Sequence, residues 1–354
     1  PPVQEEHRRA GPPLDRRHAG HRAMLRARAT GPARAGPPVR YAAPVGKRLE
    51  LVAPRGYCAG VDRAIEIVER VLDEQGPPVY VRGEIVHNQY VVRSLAARGA
   101  VFVSSERDVP EGQTIILSAH GVSPEVRRVC AERRLRVIDA TCPLVSKVHA
   151  EVRRYAARGS TVLLVGHADH DEVIGTLGEA PDRVILVEDI EDAEAVEVPD
   201  PERVALTTQT TLSIDDTSAI VDVLKRRFPA LQMPASSDIC YATQNRQDAV
   251  REVVADGADL VLVVGSRNSS NSNRMVEVAR AAGCDAHLLD NADELEDEWL
   301  EGRRRIALTA GASAPEVLVQ EVATALISAG FARTGEEIPS AEGVVFALPR
   351  EARA

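Results

Sequence analysis

Apolar positions along this chain switch between a strand-like run and a helical period, and the switch itself repeats. An apolar run from Leu49 to Ala53 enters the turn Pro54-Arg55-Gly56-Tyr57-Cys58-Ala59-Gly60, after which Val61 to Leu72 show helical spacing. The same succession returns twice. Val137-Ile138-Asp139-Ala140-Thr141 leads to Cys142, with Pro143 at a favoured first helical position, and Ser236-Ser237-Asp238-Ile239 leads to Cys240. Each following helix gives way to an apolar strand ending in glycine, at Gly83, Gly166 and Gly265, which lie 25, 24 and 25 residues beyond the respective cysteines. Polar residues then stand at 29, 28 and 29 residues: His87, His170 and Ser269.

The second half of each repeat is a helix, a strand and a polar turn. Those turns read Ser118-Ala119-His120-Gly121-Val122-Ser123, Thr207-Thr208-Gln209-Thr210-Thr211-Leu212-Ser213 and Thr309-Ala310-Gly311-Ala312-Ser313-Ala314-Pro315, each with a helical pattern behind it. Strands alternating with helices at this pitch predict parallel sheets, whose ligands gather at the strands' carboxyl ends. The expected fold class is therefore α/β: three similar small α/β domains with mainly parallel sheets in a pseudo-threefold arrangement. The expected boundaries are 47–141, 142–239 and 240–346, with the strand inside 47–57 open to sharing by the third unit, and a tail at 347–354. Units of roughly 85 to 105 residues are marginal alone and should pack on one another. Equivalent turns would then meet near one axis, bringing the three cysteines together.

Composition narrows the function. The 354 residues carry a formal charge of −10, but residues 1–46 hold nine arginines against Glu5, Glu6 and Asp15. This proline- and arginine-rich stretch, without serine or apolar period, is expected to be a disordered basic extension. Two origins fit it: a start site placed too far upstream, with Met24 or a later residue as the true start, or an organellar targeting peptide. The remaining body is acidic and poor in aromatics, which argues against nucleic acid as a ligand. No apolar run approaches the ~20 residues of a membrane span, so a soluble, cytoplasmic protein is expected unless the extension is a targeting signal.

Five cysteines in such a chain do not suggest a disulfide scaffold. Cys130, in the helical stretch 124–133, and Cys284, after Gly283, read as small buried hydrophobes. Cys58, Cys142 and Cys240 each sit where a strand meets a helix, a place whose N–H groups and dipole favour the thiolate. Three gathered thiolates can hold zinc or three corners of a 4Fe-4S cube. Zinc sites usually use close pairs such as C-x2-C, and compact ferredoxins cluster their cysteines locally; neither pattern is present. A cube held by three thiolates leaves one iron with an open position, which suits reductive removal of a hydroxyl.

The other turns suggest an anion. Gly265-Ser266-Arg267-Asn268-Ser269-Ser270-Asn271-Ser272-Asn273 precedes a helix expected to begin near Arg274, and hydroxyls, amides and free N–H groups there suit phosphate. They also suit an ordinary helix cap. No nucleotide P-loop sequence occurs. His87, His120 and Ser313 occupy comparable turns. In His167-Ala168-Asp169-His170-Asp171-Glu172, the stretch reads either as a solvated acidic loop or as a site in which Glu172 donates a proton beside His170.

From about Leu49 to Pro349 these motifs, including Ile85-Val86-His87-Asn88, Asp139-Ala140-Thr141-Cys142-Pro143, Asp238-Ile239-Cys240-Tyr241-Ala242-Thr243 and Asn268-Ser269-Ser270-Asn271-Ser272-Asn273, resemble those of the 4-hydroxy-3-methylbut-2-enyl diphosphate reductase family. The resemblance implies a three-lobed α/β protein around one 4Fe-4S cluster per chain, held by Cys58, Cys142 and Cys240, with one iron not ligated by cysteine. It implies an allylic diphosphate whose phosphates lie among His87, His120, Ser269, Ser270, Asn271 and Ser313, with His170 also in the pocket. Thr210 would touch the hydroxyl end and Glu172 would be the proton source. It further implies ferredoxin or flavodoxin, with its reductase, as electron donor. Asp171 departs from the family pattern, where many relatives have proline, and its carboxylate is expected to raise the pKa of Glu172. Two rival readings of the same cysteines are an iron-sulfur dehydratase and a non-catalytic iron-sulfur sensor.

Overall fold

Largely apolar runs such as Thr161–Val165 and Leu260–Val264 are buried at every residue, as strands covered on both faces must be. The structure, a computed structural model, describes residues 46–334 and 342–353, apart from the side chain of Asp216. The basic extension therefore lies outside the described residues. In chain order the elements begin with β1 (Arg48–Leu51), α1 (Ala59–Gln75), β2 (Val79–Arg82), α2 (Gln89–Ala97), β3 (Ala100–Val103), β4 (Thr114–Leu117), α3 (Pro124–Glu132) and β5 (Arg136–Asp139). Next come α4 (Pro143–Ala157), β6 (Thr161–Val165), α5 (Asp171–Leu177), β7 (Val184–Val187), α6 (Ile190–Ala195), β8 (Val204–Thr208) and α7 (Ile214–Arg227). The last group is α8 (Tyr241–Ala255), β9 (Leu260–Val264), α9 (Ser270–Ala281), β10 (Asp285–Leu289), α10 (Asp297–Leu300), β11 (Arg305–Ala310), α11 (Glu316–Ser328) and β12 (Ala332–Thr334).

The strands form three sheets, in the orders β3-β2-β4-β5, β7-β6-β8 and β10-β9-β11-β1-β12. All ladders between these strands are parallel. The α/β class with three small parallel sheets is thus what the hydrophobic pattern predicted. Strand β1 pairs with both β11 and β12. The chain's first strand thereby closes the sheet built by its last third, while α1, directly after it, packs its apolar face on the β2-containing sheet. This crossing ties the two ends of the chain together. Ala352, fully buried, adds to the same cluster as Ile67, Val71 and Val81.

Parallel order fixes where the functional turns lie. Every β-to-α turn emerges at the carboxyl edge of its sheet, and the helix that follows starts there with unpaired N–H groups. Two boundaries differ from the sequence expectation for this reason. α1 starts at Ala59, with Cys58 as its cap, and α9 starts at Ser270 rather than near Arg274 because the Ser269 hydroxyl accepts from the Ser272 N–H and begins the helix earlier.

Leu308 is fully buried on β11, the central strand of the largest sheet. Leu308→Ala is expected to lower the unfolding free energy by about 2–5 kcal/mol. A urea midpoint matching the parent protein would show that this strand does not carry the core.

Candidate active site

One cavity lies at the carboxyl edges of the three sheets, with about 110 Å³ of free space, and all the residues picked out from sequence line it: Cys58, Cys142, Cys240, His87, His120, His170, Glu172, Thr210, Ser269, Ser270, Asn271 and Ser313. The three cysteines cap α1, α4 and α8 and are free thiols. Gly60 shows how closely they converge: a Cβ placed there would lie 2.7 Å from Cys142 Sγ and 3.8 Å from Cys58 Sγ, so a side chain would displace the sulfurs. Cys240 Sγ contacts Thr243 Oγ1 at 3.0 Å and accepts from the Thr243 N–H at 3.3 Å. Cys130 and Cys284 are buried in separate apolar clusters, away from this cavity.

Helix starts do not win the electrostatic contest at the thiols. Burial, reinforced by the neighbouring thiols, pushes Cys142 up to about 12, and burial likewise pushes Cys240 to about 11. The expectation that helix N-termini alone would favour thiolates is corrected by this desolvation. Three thiolates facing one another in an apolar pocket need a positive partner. A polynuclear iron centre is such a partner, and the donor set fits it; Cys-ligated centres deprotonate their thiols outright.

Another wall of the same cavity carries the imidazoles. His87 and His120 stack with centroids 3.9 Å apart and planes 15° apart, and His170 stands edge-on to both, at 5.4 and 5.9 Å. His87 Nδ1 lies 3.1 Å from Glu84 Oε2, which leaves Nε2 for the cavity, and Asn268 and Gln89 donate to the same carboxylate. The hydrogen bond with His87 is the main reason Glu84 lies below the usual carboxylate range. Burial, then the neighbouring imidazoles, holds His120 well below the ordinary imidazole value and brings His170 to about 4. His120 Nδ1 is buried and has no hydrogen-bond partner.

Hydroxyls and amides complete that wall. Ser269 Oγ accepts from Ser272 Oγ at 3.0 Å and lies 3.5 Å from Ser313 Oγ, while Ser313 donates to the His87 carbonyl at 3.0 Å. Asn271 Oδ1 accepts from the Ala312 N–H at 2.8 Å. Thr211 donates to Ser270 Oγ at 2.9 Å. Gly311 permits this closeness, since any Cβ there would collide with Ser272.

Glu172, fully inside the protein, sits between the two walls. Its Oε1 accepts from the Thr210 N–H at 2.7 Å and its Oε2 from the Thr210 hydroxyl at 2.9 Å. Burial raises its pKa to about 7 against the pull of those two bonds, and the charge of Asp238 adds to the rise. The carboxylate expected to do this from sequence was the adjacent Asp171. Asp171 instead faces His87 and His120. Asp238, the acid that does contribute, accepts from Thr207 Oγ1 and the Thr208 N–H, on the strand that positions Thr210.

Sequence reasoning missed several lining or supporting residues. Thr243, which bonds Cys240 and contacts Asn271, lies in a quoted motif but carried no signal of its own. Glu84 lies three residues before His87, and only the fold shows that it orients the ring. Phe346, from the segment after residue 341, lines the cavity and was not foreseeable from the repeat.

Fold and site together define a class: an α/β protein of three parallel sheets with a trithiol floor, a buried acid and an imidazole–hydroxyl wall. Residues 49–327 match the family model described as LytB protein. Among curated relatives, 4-hydroxy-3-methylbut-2-enyl diphosphate reductase of Acidothermus cellulolyticus is 55% identical over 88% of this chain and 92% of its own length. The protein of the same name from Mycolicibacterium paratuberculosis is 56% identical over 88% of this chain and 93% of its own. Among solved structures, the E-1-hydroxy-2-methyl-but-2-enyl-4-diphosphate reductase of Plasmodium falciparum superposes with a TM-score of 0.81 at 39% identity, covering 87% of this chain and 97% of that one. The chain belongs to the LytB protein family.

Thr210→Val keeps the backbone donor but removes the hydroxyl donor to Glu172, so the carboxyl should titrate above its present value of about 7. Infrared titration of the protonated-carboxyl band reads this directly. An unmoved midpoint would mean that the hydroxyl contact favours neither protonation state.

Proposed function

We propose that this chain reduces 4-hydroxy-3-methylbut-2-enyl diphosphate to isopentenyl and dimethylallyl diphosphates, the last step of the non-mevalonate isoprenoid route. Two electrons and two protons enter; the hydroxyl leaves as water with one proton, and the other proton ends on carbon. The observation that carries the reading is the convergence, in one cavity, of three cysteines, a buried acid with a pKa near 7 and an imidazole–hydroxyl wall.

Cys58, Cys142 and Cys240 would hold a 4Fe-4S cluster, leaving one iron without a thiolate. When bound, that cluster supplies the electrons and Lewis acidity at the hydroxyl-bearing carbon's oxygen. His87, His120, Ser269, Ser270, Asn271 and Ser313 bind the diphosphate, with His170 at its edge. Anchoring the charged end fixes the small hydrocarbon part relative to the acid.

Glu172 holds the proton and Thr210 directs it. The Thr210 hydroxyl donates to the ionised carboxylate and, on turning, accepts from the protonated acid, so the same 2.9 Å contact serves both states. The substrate hydroxyl lies at the Thr210 end of the cavity. A general acid with a pKa near 7 loses its proton as pH rises, so the step it limits slows above about pH 7. The electron donor is proposed to be a ferredoxin or flavodoxin with its reductase. Among the described residues no helix is long and apolar enough to cross a membrane.

The deciding experiment is anaerobic turnover of 4-hydroxy-3-methylbut-2-enyl diphosphate with a reduced low-potential donor, with Cys142→Ser as control. Both five-carbon diphosphates should form with the parent protein and neither with the variant; a brown, cluster-loaded parent protein that forms neither refutes the reading. Glu172→Gln should retain iron and bind substrate, yet turn over at least ~100-fold more slowly. Near-parental turnover would place the proton source elsewhere.

A further inference from the structure

Asp171 points its carboxylate into the wall proposed for the diphosphate. Its Oδ2 lies 3.9 Å from His87 Nε2 and 3.8 Å from His120 Nδ1, and it passes over Gly83, where an added Cβ would come within 3.9 Å of the same oxygen. Two histidines and a carboxylate gathered so closely are a candidate set for a metal ion. The ring geometry disfavours that use. A metal ion prefers the plane of each imidazole that binds it, and stacked rings with centroids 3.9 Å apart and planes 15° apart do not share such a point nearby. Stacked rings do present two ring nitrogens side by side to one multi-oxygen anion, which is how they meet Asp171.

We infer that Asp171 is an internal stand-in anion. In the free protein its carboxylate occupies the place of a phosphate oxygen between His87 and His120, and it swings to solvent when a diphosphate enters. The inference rests on the wall being the diphosphate site. Asp171 is free to move: it is the first residue of the short helix α5, its side chain is 44% exposed, and neither ion pair is a hydrogen bond. The other charged and titratable groups around the two rings are Glu84, which is committed to His87 Nδ1, Asn268 and Gln89, and His170, which stands edge-on. Glu172 is turned away, onto Thr210.

The consequence is weakened anion binding. An anion entering here must displace a carboxylate or tolerate it within about 4 Å, a like-charge contact that penalises every anion. A diphosphate recovers the loss through its many oxygens on Ser269, Ser270, Asn271 and Ser313. A single phosphate has fewer such contacts. Asp171 therefore sets anion affinity without touching the reacting atoms.

The test is calorimetric titration of anaerobic, cluster-loaded protein with inorganic pyrophosphate and, separately, inorganic phosphate, for the parent chain, Asp171→Asn and Asp171→Ala. Both variants should bind pyrophosphate about tenfold more tightly, because a partly exposed charge is screened and removing it is worth little more. Inorganic phosphate, which carries less charge than pyrophosphate, should gain less from either substitution. Equal or weaker pyrophosphate binding by both variants overturns the inference while leaving the diphosphate reading intact. A requirement for a divalent cation in the parent chain that the variants lose would also overturn it, since the carboxylate would then be a metal ligand. Pyrophosphate that binds none of the three proteins would instead bring down the diphosphate reading itself.

Discussion

Three thiols have to share one apolar pocket, and much of the molecule is arranged to meet that demand. Each arrives at a helix start, and each helix start lies at a sheet's carboxyl edge. Parallel strands are what make this repeatable. In a parallel α/β unit every strand-to-helix turn falls on the same edge, whereas antiparallel order would send alternate turns to opposite edges. Three such edges around one cavity deliver three cysteines and, from the neighbouring strands, the histidines and serines as well. Burial then raises Cys142 and Cys240, so ionising these thiols side by side in the pocket is unfavourable without a cationic partner.

The far wall follows the same logic with the sign reversed. Burial and the neighbouring imidazoles lower the pKa of His120 and His170. An anion placed among them would stabilise their protonated forms, so anion binding there and proton uptake would be linked. Glu172 sits where the two regimes meet. It is held near neutrality by burial, and a carboxyl balanced in that way responds strongly to whatever charge enters on either side.

What the sequence disclosed depended on how each residue's role is encoded. The cysteine positions were readable because they recur at nearly constant distance from glycine-ended strands, and that regularity is a property of the repeated unit. The stacking of His87 on His120 and the proximity of both to Asp171 were not readable, because they join turns from different places in the chain. Chain adjacency misled at Asp171 for the same reason. Residues 171 and 172 open a helix and point about 100° apart, so the nearer acid along the chain faces the imidazoles while Asp238, distant along the chain, acts on Glu172. Helix starts were placed late at Val61 and Arg274 because the apolar period becomes visible only after the first turn; Ser269 begins its helix with a capping hydroxyl, whereas Cys58 makes no side-chain capping bond.

Two buried arginines show how the thiol-bearing turns are kept in place without apolar packing, which small turn residues cannot supply. Arg63 donates to the carbonyls of Ala140 and Thr141, directly before Cys142, and to that of Ala347. Arg246 donates to the carbonyls of Gly56 and Ala242, on either side of the Cys58 and Cys240 turns, and pairs with Glu342. Guanidinium groups can do this because their donors fan out in a rigid plane and remain charged when buried. Burial lowers the pKa of Arg63, while Asp139 and Cys142 oppose that shift. The same two cations bind residues after 341 to the turns, so the chain's last described segment, including Phe346 in the cavity wall, is held by the groups that hold the cysteines. Positioning of the sulfurs and closure of the pocket beside them are thus one structural task rather than two.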